Sequence, residues 1–197
     1  PLSPPDHAAL LQIHAQLWER LLFASSGRLA LPKCFYYLIA WKWTDGDATM
    51  MSTEELNASI SLTCGSNPHP IPIAHKEVHT SHKTLGTQMN PTGTMTAETK
   101  RLKAKASTIA AAIERFEGPP WKAKLLYTSR YQPSLAYSLP ITTLSAAQVK
   151  SIQTRPITAI LASLGVNRRF PRDVAHGPLS HGGLGLPHLL TIQGCPL

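Results

Sequence analysis

Hydrophobic and polar positions alternate along residues 35–43, which is the period-of-two pattern of a β-strand. Asp45-Gly46 follows almost at once, and this dipeptide between hydrophobic runs favours a tight hairpin. We therefore predict a β-hairpin whose return strand covers residues 48–52. One face of its first strand carries five large apolar residues: Phe35, Tyr37, Ile39, Trp41 and Trp43.

Before this hairpin, residues 6–24 carry apolar side chains at steps of three and four, which predicts an amphipathic helix. Asp6 can cap the start of the helix, and Gly27 can end it. The apolar stripe consists of Leu10, Ile13, Leu17 and Leu21, flanked by Trp18 and Leu22.

After the hairpin, period-two patterns predict strands at residues 59–63, 71–78 and 83–89. The turn sequence Asn90-Pro91-Thr92-Gly93 closes the last of them.

From Thr96 the period changes to 3.6 and predicts helices. A long helix has an apolar stripe from Leu102 to Phe116, and a shorter one covers residues 121–131. Ser145 and Gln148 form a capping-box sequence at the start of a third helix, which Pro156 is expected to break or restart. A fourth segment ends at Gly165, and the Gly- and Pro-rich tail is expected to be ordered but irregular.

These elements predict an α+β chain in two parts. Residues 1–94 hold an N-terminal helix and a small antiparallel sheet, and residues 95–197 form a helical bundle with the irregular tail.

Charge is distributed unevenly between the two parts. Residues 1–56 contain four Lys and Arg against six Asp and Glu, whereas residues 57–197 contain fifteen against five. A strongly basic segment favours a polyanionic partner such as nucleic acid, although a merely soluble basic surface has the same composition.

Cysteine use and hydropathy bear on the compartment. The three cysteines, Cys34, Cys64 and Cys195, are odd in number and widely spaced, so a reducing intracellular compartment, nuclear or cytoplasmic, fits better than a disulfide framework. No run of about 18 apolar residues indicates a transmembrane helix, so we expect no membrane partner.

Basic residues interleaved with aromatic ones are the strongest functional signal. Phosphate contacts by such residues give affinity that depends on salt and not on sequence. An ordinary solvated helix surface is the alternative interpretation. The residues are Lys100, Arg101, Lys103, Lys105, Lys122, Lys124 and Arg130, with Trp121, Tyr127 and Tyr131 among them.

Histidines suggest a second kind of site. His75 and His79 would share the face of a helix and could bind zinc together with His82. The neighbouring Pro70 and Pro72 favour extended chain instead, so solvated histidines are the default and no metal site is assigned.

The order of motifs resembles the reverse transcriptases of retroelements. The run Gly27-Arg-Leu-Ala-Leu-Pro-Lys33-Cys34, before an aromatic strand, resembles the fourth palm motif of that family. His82-Lys83-Thr84-Leu85-Gly86, followed by Asn90-Pro91-x-Gly93, resembles the fifth motif, the primer-grip hairpin. Phe170-Pro171-Arg172 and Gly182-Gly183-Leu184-Gly185 resemble the region after the thumb.

The resemblance implies a palm-like first part and a thumb-like second part. Lys33 matches the lysine that helps to protonate the leaving pyrophosphate in the family. Lys83, Thr84 and Gly86 match the primer grip, so these residues and the basic helices are expected to bind template–primer nucleic acid, an RNA–DNA or DNA duplex. The intact family uses Mg²⁺, held by aspartates that include a Tyr-x-Asp-Asp strand.

This chain contains no Tyr-x-Asp-Asp motif. We therefore expect a truncated fragment that needs no cofactor, binds nucleic acid and does not polymerise, with the missing N-terminal polymerase half as a further partner. Trp41 and Trp43 would then be partly exposed. The alternative is a non-enzymatic helical interaction or scaffold protein.

Overall fold

A computed structural model describes residues 4–194 and divides them into two compact units. The first unit extends to Ser81 and also includes Asn90–Gly93. The second contains His82–Met89 and the described chain from Thr94 onward. Both mix helices with small sheets, which confirms the general α+β class. No helix among the described residues is long and apolar enough to cross a membrane.

The first unit begins with a long helix and continues in short elements. Its helices are α1 (Pro4–Ala24) and α2 (Thr53–Leu56), with a 3₁₀ turn at Leu31–Lys33. Its strands are β1 (Phe35–Tyr36), β2 (Trp41–Thr44), β3 (Asp47–Met50), β4 (Ser61–Leu62), β5 (Ile71–Pro72) and β6 (Ala74–His75).

The predicted hairpin is present as β2 and β3. Thr44 pairs with Asp47, and the two loop residues Asp45 and Gly46 have φ angles of 52° and 90°. Two successive positive φ angles define the type I′ turn that Asp-Gly favours. The strand predicted to precede it is interrupted, because only Phe35–Tyr36 and Trp41–Thr44 are extended in ladders.

The single antiparallel sheet expected for the first part is not formed. The described strands pair as separate two-stranded ladders, and β1 with β6 is parallel. The antiparallel ladders are β2 with β3, β4 with β5, and β7 (His82–Thr84) with β8 (Thr87–Met89) of the second unit.

Helix α1 presents a different face to its unit than its apolar stripe suggests. Leu10, Ile13, Leu17, Trp18 and Leu21 are all exposed. The inward face instead carries Gln12, Gln16 and Glu19. The side-chain amide of Gln12 accepts a hydrogen bond from the Ser61 N–H and donates one to the Ser61 carbonyl. Gln16 pairs in the same way with the N–H and carbonyl of Thr63. The helix therefore satisfies a strand edge with polar side chains.

The second unit is helical apart from β7 and β8. Its helices are α3 (Thr96–Glu114), α4 (Pro120–Leu126), α5 (Gln132–Ala136), α6 (Ala146–Ser163), α7 (Arg172–His176) and α8 (Leu189–Gly194). A π-helical turn at Tyr127–Tyr131 joins α4 to α5. Short 3₁₀ turns cover Leu139–Ile141 and Leu179–His181.

A continuous core holds this unit together, with α3 and α6 packed along each other. The stripe predicted for α3 is buried at Leu102, Ala106, Ala110 and Ile113. The capping box of α6 is also confirmed, since Ser145 Oγ accepts from the Gln148 N–H and the Gln148 side chain accepts from the Ser145 N–H.

Pro156 lies inside α6, so the predicted helix break is wrong. An internal proline removes one backbone hydrogen bond and costs about 3 kcal/mol. Pro156 is itself buried, as are Ile152 and Ile157 beside it. Because both halves of the helix pack on the same core, that packing offsets the cost. The helix ends at Ser163, and Gly165, predicted to end this segment, follows two residues later with φ of 72° and is spanned by a Val166 N–H to Leu161 carbonyl bond.

The tail is more regular than expected, since it forms α7, α8 and a 3₁₀ turn. Gly183 makes this possible, because a Cβ atom there would lie 2.1 Å from the Gly177 carbonyl oxygen. Cys34 and Cys64 are free thiols, and Cys195 lies outside the described residues.

Candidate nucleic-acid interface

The hairpin that resembles a primer grip belongs to the same unit as the basic helices. Residues 83–89 were predicted as one strand, but the chain turns within them. Leu85 and Gly86 form the turn with φ angles of 49° and 89°. Glycine adopts such angles freely, whereas a leucine at positive φ is strained.

Leu85 is not part of the core of the second unit. Its side chain is 82% exposed at the hairpin tip. Gly86 lies against Tyr137, because a Cβ atom at Gly86 would be 3.2 Å from the ring. Tyr137 is itself 65% exposed. The hairpin therefore ends in an apolar tip beside an accessible aromatic ring.

Glu98 fixes the hairpin to α3. Its carboxylate accepts from the Gln88 N–H of β8 at 2.8 Å and from Arg101 Nε and Nη2 at 2.8 and 2.6 Å. Arg101 Nη2 also donates to Ser138 Oγ at 3.3 Å. Glu98 is completely buried, so these hydrogen bonds are shielded from water.

Burial opposes ionisation of Glu98, but hydrogen bonds from Arg101 and the Gln88 N–H outweigh burial and lower the pKa of this carboxyl. Contact with Glu98 raises the pKa of Arg101. Arg101 was predicted to bind nucleic acid, but its guanidinium forms a structural ion pair with Glu98. The guanidinium is partly exposed, so its positive charge still adds to the field at the surface.

Lys83 of the hairpin lies within electrostatic range of Lys105 on α3. Lys105 shares a helix face with Arg101, and its Nζ donates to the Ser134 carbonyl at 2.8 Å. Burial lowers the pKa of Lys105, and repulsion from Arg101 and Lys83 lowers it further. Thr84 is exposed beside Lys83 at the end of β7. We name Lys83, Thr84, Leu85, Lys105 and Tyr137 the hairpin corner.

The remaining predicted basic residues point elsewhere. Lys100 and Lys103 are exposed, and Lys103 lies about 160° around the axis of α3 from Lys105. On α4, Lys122 lies over the Trp121 ring at 5.4 Å, and Lys124 donates to the Leu184 carbonyl at 2.9 Å. Arg130 is exposed in the π-helical turn.

The aromatic residues predicted to interleave with these cations are also not all on the surface. Tyr127 and Tyr131 are fully buried in the core with ring centroids 4.6 Å apart, and only Trp121 is exposed. The basic residues of the second unit therefore do not form one strip. Only some of them lie beside the hairpin.

Lys33 lies at the end of a 3₁₀ turn in the first unit, where its side chain is exposed. Its match to the family's catalytic lysine remains a prediction, since nothing in the geometry tests it.

The zinc alternative needs His75 and His79 on one helix, and no helix forms there. His75 lies in β6, with its ring stacked on Tyr36 at 4.6 Å, and burial lowers its pKa. Across the described residues, no group of three or more His, Cys, Asp and Glu side chains could hold a metal ion. These residues do not fit the Mg²⁺ site that the resemblance implies for the intact family.

The position of Tyr137 beside the hairpin could not be predicted from sequence. It lies outside every motif, and only the fold brings it to Gly86. The pairing of Glu98 with Arg101 was weakly indicated by the sequence, because Glu and Arg three residues apart on a helix can form an ion pair. Comparison of the chain with protein-family models, with curated proteins and with solved structures finds no match.

Proposed function

We propose that the second unit binds the backbone of a template–primer duplex, RNA–DNA or DNA, as a palm-and-thumb fragment of reverse-transcriptase type that does not polymerise by itself. The hairpin corner is the centre of this surface, and the other basic residues of the second unit, which lie on different faces, add a longer-range attraction for a polyanion. The resemblance of the hairpin to a primer grip motivates the choice of duplex.

The observation that carries the proposal is the separation of charge between the units. The second unit holds fourteen Lys and Arg against four Asp and Glu, a net charge of +10. The first unit holds five against seven, a net charge of −2. A unit with one strong sign of charge attracts a polyanion and accelerates its association.

The hairpin corner adds local chemistry to this field. Lys83 and Lys105 repel each other, and a phosphate between them would relieve that repulsion. Thr84 can donate to a phosphate oxygen, and the exposed ring of Tyr137 offers a surface for a sugar or base. Glu98 keeps the hairpin and α3 in fixed geometry, so these groups are arranged before binding.

Fluorescence anisotropy with a labelled RNA–DNA hybrid, measured across a range of salt concentrations, tests the proposal. Charge reversal of Lys83, Lys100, Lys103 and Lys105 to glutamate is expected to abolish binding. Arg101 is kept, because its loss would leave Glu98 buried without its partner. Unchanged binding by this variant would overturn the proposed function.

A matched pair of double variants locates the surface. Lys83→Ala with Lys105→Ala should lower the slope of log affinity against log salt by about two, because each lysine neutralises one phosphate. Lys100→Ala with Lys103→Ala removes the same charge from the opposite flank of α3. Equal losses of affinity in both double variants would show that binding depends on the total charge of the second unit and that the hairpin corner has no special role.

A second candidate is the non-enzymatic helical interaction protein. The apolar stripe of α1 favours it, because five large side chains on one helix face are exposed. Failure of the wild-type chain to bind nucleic acid at low salt would favour this candidate over the first.

A further inference from the structure

A groove of about 600 Å³ lies in the second unit, on the face of α6. Val149, Gln153 and Ile157 of α6 form its floor, α7 forms one wall, and His188 and Leu190 form the other. Grooves of this volume are the size of typical small-molecule sites. The lining combines an apolar floor with polar groups at the rim.

Gln153 holds the two walls in place. Its Oε1 accepts from the Leu189 N–H at 3.1 Å, which orients the amide so that Nε2 lies 3.0 Å from His176 Nε2. His176 Nδ1 lies 2.9 Å from the Leu186 carbonyl oxygen, and a carbonyl can only accept, so Nδ1 carries the proton. His176 Nε2 then accepts from Gln153, and the two hydrogen bonds fix the orientation of the ring.

His188 supplies a flat ring in the groove. Its centroid lies 4.7 Å from that of His176, with the rings at 64°. Burial lowers the pKa of His188, and Asp173 only partly opposes this effect. At neutral pH the ring is therefore uncharged and suited to stacking.

Two cations line the rim of the same groove. Lys150 projects from α6 and Arg172 from α7, and both are exposed. Arg172 Nη2 donates to the Arg168 carbonyl at 3.1 Å, which steadies the guanidinium. Between residues 4 and 194, no carboxylate forms an ion pair with either side chain. Cations on two helices can converge on one phosphate group.

We propose that this groove binds a single nucleotide unit, with its phosphate between Lys150 and Arg172 and its base against His188 over the apolar floor. Inorganic phosphate would use only the rim, and a nucleoside only the floor and the ring. A nucleotide is the ligand class that uses both. The Asp173 carboxylate at the rim can accept a hydrogen bond from a ribose hydroxyl.

This site is separate from the hairpin corner and goes beyond the proposed function. None of its lining residues is part of that surface. Either proposal can therefore fail without the other.

Isothermal titration of the full chain with AMP, adenosine and inorganic phosphate tests the inference. AMP should bind at least about tenfold more tightly than either fragment, since one charge-assisted contact contributes about that factor. Absence of AMP binding would overturn the proposal. Equal affinity for AMP and inorganic phosphate would do so too, because it would show a bare anion site.

Variants then assign the contacts. Lys150→Ala and His188→Ala should each weaken AMP binding by about tenfold, and His188→Phe, which keeps a flat ring, should restore it. Arg169→Ala, an exposed charge outside the groove, is the matched control and should have no effect. Equal losses in Arg169→Ala and Lys150→Ala would overturn the site.

Duplex binding separates the two proposals. Lys150→Ala and His188→Phe should bind the RNA–DNA hybrid like the wild type, and Lys83→Ala with Lys105→Ala should keep its affinity for AMP. Loss of AMP binding in that hairpin variant would show that there is no independent groove site.

Discussion

Each of the two units is stabilised internally by a different kind of interaction. The second unit has one continuous apolar core, drawn from α3, the α4–α5 segment, α6 and the tail. The first unit buries few apolar side chains, among them Leu38, Ile60 and Val78, and relies on side chains that hydrogen-bond to backbone. Tyr36 OH and Tyr37 OH extend this pattern by donating to the carbonyls of Ala58 and Thr80.

The difference shows what an apolar stripe means in each unit. On α3, the stripe marks the buried face, whereas on α1 the stripe is exposed and the glutamine-bearing face is inside. Trp43 of the hairpin is 75% exposed and Trp41 about half exposed, as expected for this strand. Amphipathicity therefore identifies a helix in both units, but it identifies the core only in the second.

Truncation of matched leucines tests this contrast most directly. Leu102→Ala on α3 should destabilise the second unit by about 3 kcal/mol, because it opens a cavity at a fully buried site. Leu17→Ala on α1, where the side chain is 54% exposed, should change stability by less than about 0.5 kcal/mol. Hydrogen exchange resolved by mass spectrometry measures each unit separately. A large loss at Leu17 would show that the α1 stripe is covered in solution.

Removal of Glu98 tests the polar anchor of the second unit. Glu98→Ala leaves Arg101 and the Gln88 N–H without their acceptor and should cost about 2 kcal/mol. Glu114→Ala is the matched control, because its pair with Arg155 is exposed, and no measurable change is expected. Urea unfolding at pH 7 compares the two, and equal stability of both variants would refute the anchoring role.

The same carboxyl predicts a pH dependence. Folding lowers the pKa of Glu98, so its contribution is complete above the ordinary pKa of about 4.3 and is lost as pH falls below it. Glu98→Ala should therefore lose less stability on acidification than the wild type. Parallel acid curves for both proteins would contradict this expectation.

The glutamine pairing in the first unit predicts a smaller effect. Gln16→Ala removes an acceptor for the Thr63 N–H and a donor to its carbonyl, and should cost about 1 kcal/mol. His14→Ala, at an exposed position of the same helix, should have no effect. Hydrogen exchange at residues 59–65 reports the change. Unaltered protection there would mean that α1 does not support this strand edge.

Elements with strong local signals could be predicted from the sequence. Asp45-Gly46 predicted a hairpin turn, Ser145 and Gln148 predicted a capping box, and Gly165 predicted the end of a helix. Each of these features depends on only a few adjacent residues. Pro156 and the faces of α1 could not be predicted by the same rules. Both depend on what the rest of the chain packs against, and local patterns do not contain that information.

The candidate site divides in the same way. Lys83 and Thr84 lie in a run that resembles a primer grip, and the charge of the second unit is visible in composition. The positions of Lys105 and Tyr137 beside the hairpin depend on contacts between residues far apart in the chain. The separation of Lys103 from Lys105 and the pairing of Arg101 with Glu98 both follow from helix geometry, whereas the burial of Glu98 required the fold.

His75 predicts a small pH dependence in the stability of the first unit. Its ring is stacked on Tyr36, and its Nε2 atom is buried without a hydrogen-bond partner among the described residues. Burial lowers the pKa of His75, and Glu77 only partly opposes this. Its contribution to stability is therefore complete above the ordinary pKa of about 6.5 and is lost as pH falls through the lower folded value.

His75→Phe keeps the stacked ring and removes the titration. Hydrogen exchange in residues 59–76 should speed up between pH 7 and pH 5 in the wild type, after correction for intrinsic rates, and stay constant in the variant. His69→Ala, an exposed histidine of the same unit, should behave like the wild type. Identical pH profiles for His75→Phe and the wild type would show that the stacked imidazole does not link the stability of this unit to pH.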